Sequence, residues 1–140
     1  MQPIILGDVL PYANVQAEMP IDVMRRTLER DAKQWPRPPL ELDHIFQRKE
    51  GGRGYELKFS ISIDHIVPKS KGGLDHPRNY LLVGKRINSH WIANVDEKAA
   101  VIGRSAMVKV HNFHKDYVND PRVRATRAGY FHNLAPLPGY

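Results

Sequence analysis

The sequence predicts an α+β fold organised as one compact domain. Three observations support this class: a helical repeat of apolar residues in 22–35, two strand-like runs joined by a glycine-rich turn, and the order strand, loop, strand, helix in residues 55–98. A 140-residue chain with 41% hydrophobic residues can build a single core. We therefore divide the chain into an N-terminal arm and helix (1–39), a central core (40–100) and a basic C-terminal extension (101–140).

The first predicted element is an amphipathic helix that begins at Asp22, which can cap it. Apolar residues from Val23 to Trp35 recur at near-helical spacing, while charged residues point elsewhere. The proline-rich residues 35–39 must end the helix, because proline lacks an amide donor and restricts the residue before it. We expect Trp35, and Trp91 later in the chain, to anchor the core rather than to stack on nucleic-acid bases.

Two runs with strand character follow, residues 40–47 and 55–66, and the glycine-rich residues 49–54 join them. We expect them to form a hairpin. In the second run apolar and polar residues alternate, so one face should pack inward and Asp64 should lie on the face open to solvent. The apolar members of this alternation are Leu57, Phe59, Ile61 and Ile63.

The remaining elements complete the strand, loop, strand, helix order. A basic, flexible loop at 68–73 precedes a short strand at 79–83, and a helix is predicted from about Lys85 to Lys98. A helix or a strand is expected at 106–117. The Pro- and Gly-containing end of the chain is expected to be poorly ordered.

Composition excludes several classes of site. The chain has no cysteine, so disulfides and thiolate zinc sites are excluded and any metal must be held by His, Asp, Glu, Asn or water. No run of about 18 apolar residues could span a membrane, and the first residues lack the pattern of a signal peptide. These features predict a soluble cytoplasmic protein with no membrane partner.

The positive charge lies in one part of the chain. Residues 1–45 carry five Lys or Arg against seven Asp or Glu, whereas residues 46–140 carry sixteen against eight, which gives −2 and +8 of the net +6. A polyanion such as nucleic acid would bind the basic part. Charge alone is equally compatible with a basic surface that keeps the protein in solution.

Residues 62–90 contain a spaced set of polar residues and glycines. The set comprises Asp64-His65 at the end of a strand, Pro68 three residues after the histidine, the Gly72-Gly73 loop, Asn79 ahead of an apolar run, and Asn88 nine residues later. This set resembles the motif of the HNH endonucleases, also called the ββα-metal or His-Me finger family. The resemblance covers about a fifth of the chain.

The resemblance implies a ββα-metal core at about 40–100 with the N-terminal helix packed on it. It also implies a metal-dependent endonuclease that hydrolyses phosphodiester bonds and leaves a 5′ phosphate. His65 would be the general base, because an imidazole can accept a proton from water near neutral pH. Asp64 and Asn88 would supply the hard oxygen ligands that suit Mg²⁺ or Mn²⁺. Asn79 would fix the loop and the orientation of His65.

We expect the substrate to be double-stranded DNA, and the resemblance suggests a bacterial cell or a phage-infected host. Two groups of basic residues should contact phosphates. Those near the scissile bond are Lys69, Lys71, Lys85 and Arg86, and those farther along the duplex are Arg122, Arg124 and Arg127. DNA versus RNA, one-strand versus two-strand cleavage, sequence preference and oligomeric state stay open.

The chain departs from the family pattern in two ways. Many members end the motif with a histidine ligand, whereas here Asn88 stands in register and His90 follows two residues later. Residues two apart on a helix point about 200° away from each other, so we prefer Asn88. The zinc-binding cysteines that brace some HNH domains are also missing.

Other histidines have structural interpretations. Asp43-His44 repeats the dipeptide without the spaced partners, and we interpret it as part of the paired strand. Asp75-His76 precedes a proline and is expected to form a turn. His111 and His114 can share a helical face and are expected to pack or lie at the surface rather than bind metal.

A non-catalytic function is the alternative to the nuclease. Asp64 and His65 could be a strand-end pair that makes ordinary hydrogen bonds, and asparagines are common in turns and caps. The protein would then bind DNA or support an assembly on the HNH scaffold without turnover. The presence of the base and both ligands favours the nuclease.

Overall fold

A computed structural model describes residues 3–9, 18–86 and 94–119 of the chain. These residues form a mixed α/β structure with two small antiparallel sheets and four helices. The strands are β1 (Ile4–Ile5), β2 (Phe46–Arg48), β3 (Tyr55–Leu57), β4 (Ile61–His65) and β5 (Tyr80–Gly84). The helices are α1 (Leu6–Val9), α2 (Ile21–Ala32), α3 (Val95–Ile102) and α4 (Arg104–Asn119). The combination of antiparallel strands and separate helices agrees with the predicted class.

The larger sheet has the order β1-β5-β4, and both of its pairings are antiparallel. In the β4–β5 pair, Asp64 lies opposite Leu81 and His65 lies opposite Tyr80. The smaller sheet is a hairpin of β2 and β3, which confirms the predicted hairpin. The predicted short strand at 79–83 is confirmed as β5.

The structure shortens the first predicted strand and divides the second. Residues Leu40–Leu42 form a 3₁₀ turn after Pro39, so Asp43 and His44 lie in a turn and not in a strand as expected. The second run divides at residues 58–60, where the Ile61 amide donates to the Lys58 carbonyl at 3.0 Å. A tight turn therefore separates β3 from β4.

That turn changes the position of Phe59. The alternation in the sequence predicted that Phe59 would pack inward, but its side chain is 87% exposed. The reason is local, since a turn interrupts the two-residue period of side-chain direction that a continuous strand would keep. Ile61 and Ile63 belong to the next strand and are buried as expected.

The β4–β5 pair lies between two groups of buried side chains. Successive residues of a strand point to opposite faces, so alternate residues of β5 enter different cores. The first core contains α2 together with Ile61, Ile63, Tyr80 and Leu82. The second core contains Ile66, Leu81, Val83 and residues of α3 and α4. The face that was expected to be open to solvent is therefore covered by helices.

Helix α2 confirms the predicted N-terminal helix, but it begins at Ile21 after Pro20 and ends at Ala32, so Asp22 lies in the first turn and does not cap the helix as expected. It buries Met24, Leu28 and Ala32 against the first core. Trp35 also packs on this core, with its ring centroid 5.1 Å from that of Phe46. This contact confirms the expected anchoring role of Trp35.

The C-terminal helices differ from the expectation at one point. The helix predicted from Lys85 to Lys98 is not continuous, because Asn94 has an extended backbone and its side chain accepts a hydrogen bond from the Glu97 amide at 3.1 Å. This N-cap starts a new helix at Val95. The element expected at 106–117 is a helix, α4. Among the described residues, no helix has the length and apolar character that a bilayer-spanning segment needs.

Candidate active site

The end of β4 places Asp64 and His65 on opposite sides of the sheet, because adjacent strand residues alternate in direction. The His65 ring stands edge-on to the ring of Tyr80, the residue opposite it in β5, at 5.2 Å between centroids. Its Nε2 atom lies 2.7 Å from Oδ1 of Asp75. The two side chains are 17% and 16% exposed, so this pair lies at the rim of the fold.

Asp75 is a site residue that the sequence analysis missed. It was expected only to form a turn with His76, but its second oxygen, Oδ2, accepts a hydrogen bond from Lys69 Nζ at 2.8 Å. Burial acts to raise the pKa of Asp75, but hydrogen bonds from Lys69 and His65 outweigh it, and the pKa is lowered. The sequence feature that could have identified Asp75 is its position two residues after the Gly72-Gly73 loop.

The charge of Asp75 decides which nitrogen of His65 carries the hydrogen. An ionised carboxylate only accepts hydrogen bonds, so the short contact with Asp75 requires a hydrogen on Nε2. In the neutral ring the other nitrogen, Nδ1, then holds a lone pair. The pair with Asp75 therefore prepares His65 Nδ1 as a proton acceptor.

Asn79 closes the loop that carries Asp75. Its buried side chain accepts from the Val67 amide at 2.9 Å and donates to the carbonyls of Val67 at 3.1 Å and Leu74 at 2.9 Å. Gly73 is required in the same loop, because a Cβ there would collide with the Val67 carbonyl oxygen. These contacts fix the path of the chain between His65 and Asp75.

Helix α4 supports the loop from the other side. The Leu74 amide donates to His114 Nε2 at 3.2 Å, and His114 Nδ1 lies 2.7 Å from the Val110 carbonyl oxygen. Burial lowers the pKa of His114 to about 4, so the ring is neutral at physiological pH. Burial also lowers the pKa of His111, which is 8% exposed. The packing role expected for these two histidines is confirmed.

Asp64 faces the second core and not the solvent, which corrects the expectation for this residue. Its side chain is 12% exposed, and Lys98 Nζ lies 2.8 Å from its buried Oδ2. The same ammonium group donates to the His65 carbonyl at 2.6 Å, and the Lys98 side chain is fully buried. Burial raises the pKa of Asp64 despite the opposing charge of Lys98.

The basic residues expected to bind phosphate have different surroundings. Lys69 is held by Asp75, and the Lys85 ammonium lies 4.2 Å from the ring centroid of Phe59. Lys71 is exposed on the 3₁₀ turn Lys69–Lys71, and Arg86 is exposed on helical backbone. The other predicted site residues lie outside the described part of the chain: Asn88, the alternative ligand His90, Arg122, Arg124 and Arg127.

Within residues 3–9, 18–86 and 94–119, no group of three or more His, Asp or Glu side chains is arranged to hold a metal ion. Of the two predicted ligands, this part of the chain contains Asp64. Comparison with known proteins found no matching family model, no matching curated protein and no matching solved structure. Function is therefore inferred from the residues of the site.

Proposed function

We propose that this chain is a divalent-metal-dependent HNH endonuclease that hydrolyses phosphodiester bonds in DNA with His65 as the general base. The observation that carries the proposal is the 2.7 Å contact between His65 Nε2 and Asp75. Together with the loop closed by Asn79, this contact holds the His65 imidazole in a fixed orientation at the end of β4.

The proposed role of His65 follows from its hydrogen bonding. With the hydrogen of Nε2 bound by Asp75, Nδ1 can accept a proton from the water that attacks phosphorus. The positive charge that then develops on the ring is stabilised by the ionised Asp75. Asp75 is a positioning residue in this scheme, since it acts on the substrate only through His65. General-base catalysis of this kind contributes about 10²- to 10⁴-fold to the rate.

The residues fit a divalent metal through the chemistry of their donors. Asp64 offers a hard carboxylate oxygen of the kind that Mg²⁺ and Mn²⁺ bind, and a metal ion there would compete with the Lys98 ammonium, which lies 2.8 Å from Oδ2. Asp64 and Asn88 would hold Mg²⁺ or Mn²⁺, and a metal there would neutralise charge on the phosphate and the leaving oxygen.

Charge supports DNA as the substrate. The sixteen basic residues of 46–140 exceed its eight acidic ones, and Lys71 and Arg86 expose their side chains. Contacts with phosphates hold a polyanion in place and do not depend on its base sequence. These contacts would hold the scissile phosphate near the His65 imidazole.

A non-catalytic DNA-binding protein is the second candidate, and one observation favours it. Asp64 and His65 are both already engaged, with Lys98 at 2.8 Å and Asp75 at 2.7 Å. A scaffold that had lost turnover could keep such contacts for stability alone. Binding of DNA without metal-dependent cleavage would support this candidate.

The test is nicking of supercoiled plasmid in Mg²⁺ or Mn²⁺, with and without chelator. The wild-type protein should relax the plasmid only when metal is available, and His65→Ala should lose about 10²- to 10⁴-fold in rate while still binding DNA. His44→Ala is the matched control, because His44 has the same Asp-His-Ile neighbours and lies exposed in a turn. Equal rates for wild type and His65→Ala would exclude the proposed mechanism.

A further inference from the structure

An exposed aromatic ring lies beside a lysine at the end of the β4–β5 pair opposite to His65. Phe59 is 87% exposed, and Lys85 Nζ is 4.2 Å from its ring centroid. Phe59 stands just before β4 and Lys85 just after β5. Ile61 and His65 are four residues apart on β4, so roughly 13 Å of strand separates the ring from the candidate active site.

The backbone below the ring is fixed. The Ile61 amide donates to the Lys58 carbonyl at 3.0 Å, and the Lys85 amide donates to the Ser60 carbonyl at 2.8 Å. These two bonds tie the turn that carries Phe59 to the ends of both strands. A ligand that stacks on the ring would therefore meet a surface that is already ordered, which lowers the entropy cost of binding.

The surroundings of the ring are basic. Residues 56–62 and 84–86 contain three basic residues, Lys58, Lys85 and Arg86, and one acidic residue, Glu56, which accepts a hydrogen bond from Gln47 at 3.1 Å. A flat apolar ring next to cations complements a flat ring that carries phosphates, which is the chemistry of a nucleotide unit. The lysine attracts one face of Phe59 through its π electrons, and the ring can offer its other face to a base.

We propose that Phe59 and Lys85 form a stacking platform for an unpaired nucleobase of the DNA that the active site cuts. Bases in a duplex already stack on one another, so only a base in single-stranded or locally opened DNA can cover the ring. Lys85 and Arg86 bind the phosphates beside that base. The platform rests on the proposed function, because it takes DNA as the ligand and assigns it an unpaired segment.

Leu40 provides a matched control. It is as exposed as Phe59, at 86%, but it is aliphatic and its neighbours within three residues include Glu41 and Asp43 and no lysine or arginine except Arg37. Exposure alone would make the two positions equivalent. The proposal distinguishes them by ring chemistry and charge.

The test measures affinity by fluorescence anisotropy in chelator, so that no DNA is cut. The probes are a labelled 12-nucleotide single strand, the same sequence as a duplex, and the single strand with abasic sites. Phe59→Ala should weaken single-strand binding by about 5- to 100-fold and leave duplex affinity within about twofold. Phe59→Trp should bind like wild type, Leu40→Ala should change neither affinity, and abasic sites should weaken wild-type binding as Phe59→Ala does.

Three results would overturn the platform. They are an unchanged single-strand affinity in Phe59→Ala, an equal loss on single strand and duplex, and a change of sedimentation coefficient that shows Phe59 in contact between copies of the chain. Plasmid nicking by Phe59→Ala separates this proposal from the proposed function. If Phe59→Ala nicks saturating plasmid and also binds the single strand as tightly as wild type, the platform is removed and the nuclease is kept. A wild type that binds no DNA would remove both.

Discussion

Two neighbouring residues of β4 each contact a partner of the opposite chemical character, on opposite sides of the sheet: Asp64 contacts Lys98, and His65 contacts Asp75. Asp64 turns to the second core, where Lys98 is fully buried, and His65 turns to the rim, where Asp75 is 16% exposed. The rim pair continues to Lys69, whose side chain is 55% exposed. The same strand end thus carries an interior pair and a rim pair with similar contact distances, 2.8 and 2.7 Å.

The two carboxyl groups show that burial, and not contact distance, decides whether the pKa of such a carboxyl rises or falls. The pKa of Asp64 is raised, because the cost of burying its charge exceeds the attraction of Lys98. Burial also acts to raise the pKa of Asp75, but the hydrogen bonds and charges of Lys69 and His65 together outweigh it, so the pKa is lowered. We therefore expect the interior pair to control stability and the rim pair to control the chemistry of His65.

Breaking the interior pair should have the largest effect. Lys98→Met keeps an apolar chain of similar length but leaves the Asp64 carboxylate buried without its counter-charge, which should cost about 3–5 kcal/mol of unfolding free energy. Urea unfolding at neutral pH measures this loss. Lys71→Met, on an exposed turn, should change stability by less than about 0.5 kcal/mol.

A double variant sharpens the same comparison. Asp64→Asn combined with Lys98→Met removes both charges, so part of the lost stability should return. If Lys98→Met proved as stable as Lys71→Met, the interior pair would not contribute to stability. The proposed difference between the two sides of β4 would then be wrong.

His114 extends the comparison to a buried neutral histidine. Its pKa is lowered to about 4, from 6.5, first by burial and further by the charges of His111, His76 and His65. The unfolded chain then binds a proton more readily than the folded one. The stability that the neutral ring provides is complete above pH 6.5 and is lost as the pH falls toward 4, by up to about 3 kcal/mol.

Urea unfolding at pH 7.5 and pH 5.0 tests this dependence. The wild type should lose about 2 kcal/mol between the two, and His114→Gln should be less stable at pH 7.5 but change less with pH. His44→Gln, at an exposed position, should keep the wild-type dependence. If His114→Gln kept the full pH dependence of the unfolding free energy, other groups would be responsible for that dependence.

Changing the rim pair should affect catalysis more than stability. Asp75→Asn removes the charge that holds His65 Nε2–H and should lower the nicking rate about 10- to 100-fold. Its effect on unfolding should stay near 1 kcal/mol because the pair is partly exposed. Asp43→Asn, in an exposed turn, is the control. A normal rate and normal pH profile in Asp75→Asn would show that His65 needs no positioning by Asp75.

The smallest effect is expected at Lys69. Lys69→Met removes one hydrogen bond from Asp75 and leaves His65 in place, so the nicking rate should fall only a few-fold and stability should change by less than about 1 kcal/mol. High salt should reduce the difference between Lys69→Met and wild type, since exposed pairs are screened. A loss as large as that of Asp75→Asn would place Lys69 in direct contact with the phosphate.

Local patterns in the sequence predicted the elements whose structure depends on near neighbours. The helix α2, the β2–β3 hairpin and the strand β5 follow from periodicity and turn residues, and the spaced motif brought Asp64, His65 and Asn79 into consideration. The break at residues 58–60 and the new helix after Asn94 were missed, because short turns and caps interrupt periodicity without changing composition.

The partners of the site residues could not be predicted in the same way. Lys98 is 34 residues from Asp64 in sequence and reaches it only because α3 folds over the sheet. Asp75 is closer, but its contact with His65 depends on how Asn79 closes the intervening loop. Both contacts are tertiary, so a single sequence read along its length cannot assign them.

Chemical rescue of His65→Gly tests the central claim most directly. The variant should nick plasmid about 10²- to 10⁴-fold more slowly than wild type in Mn²⁺, and added imidazole should restore part of the rate because it can accept the proton in place of the missing ring. Imidazole should not stimulate wild type, His44→Gly or Asp64→Asn. A His65→Gly variant that nicks at the wild-type rate, or an imidazole effect of equal size in Asp64→Asn, would contradict the assignment of His65 as the general base.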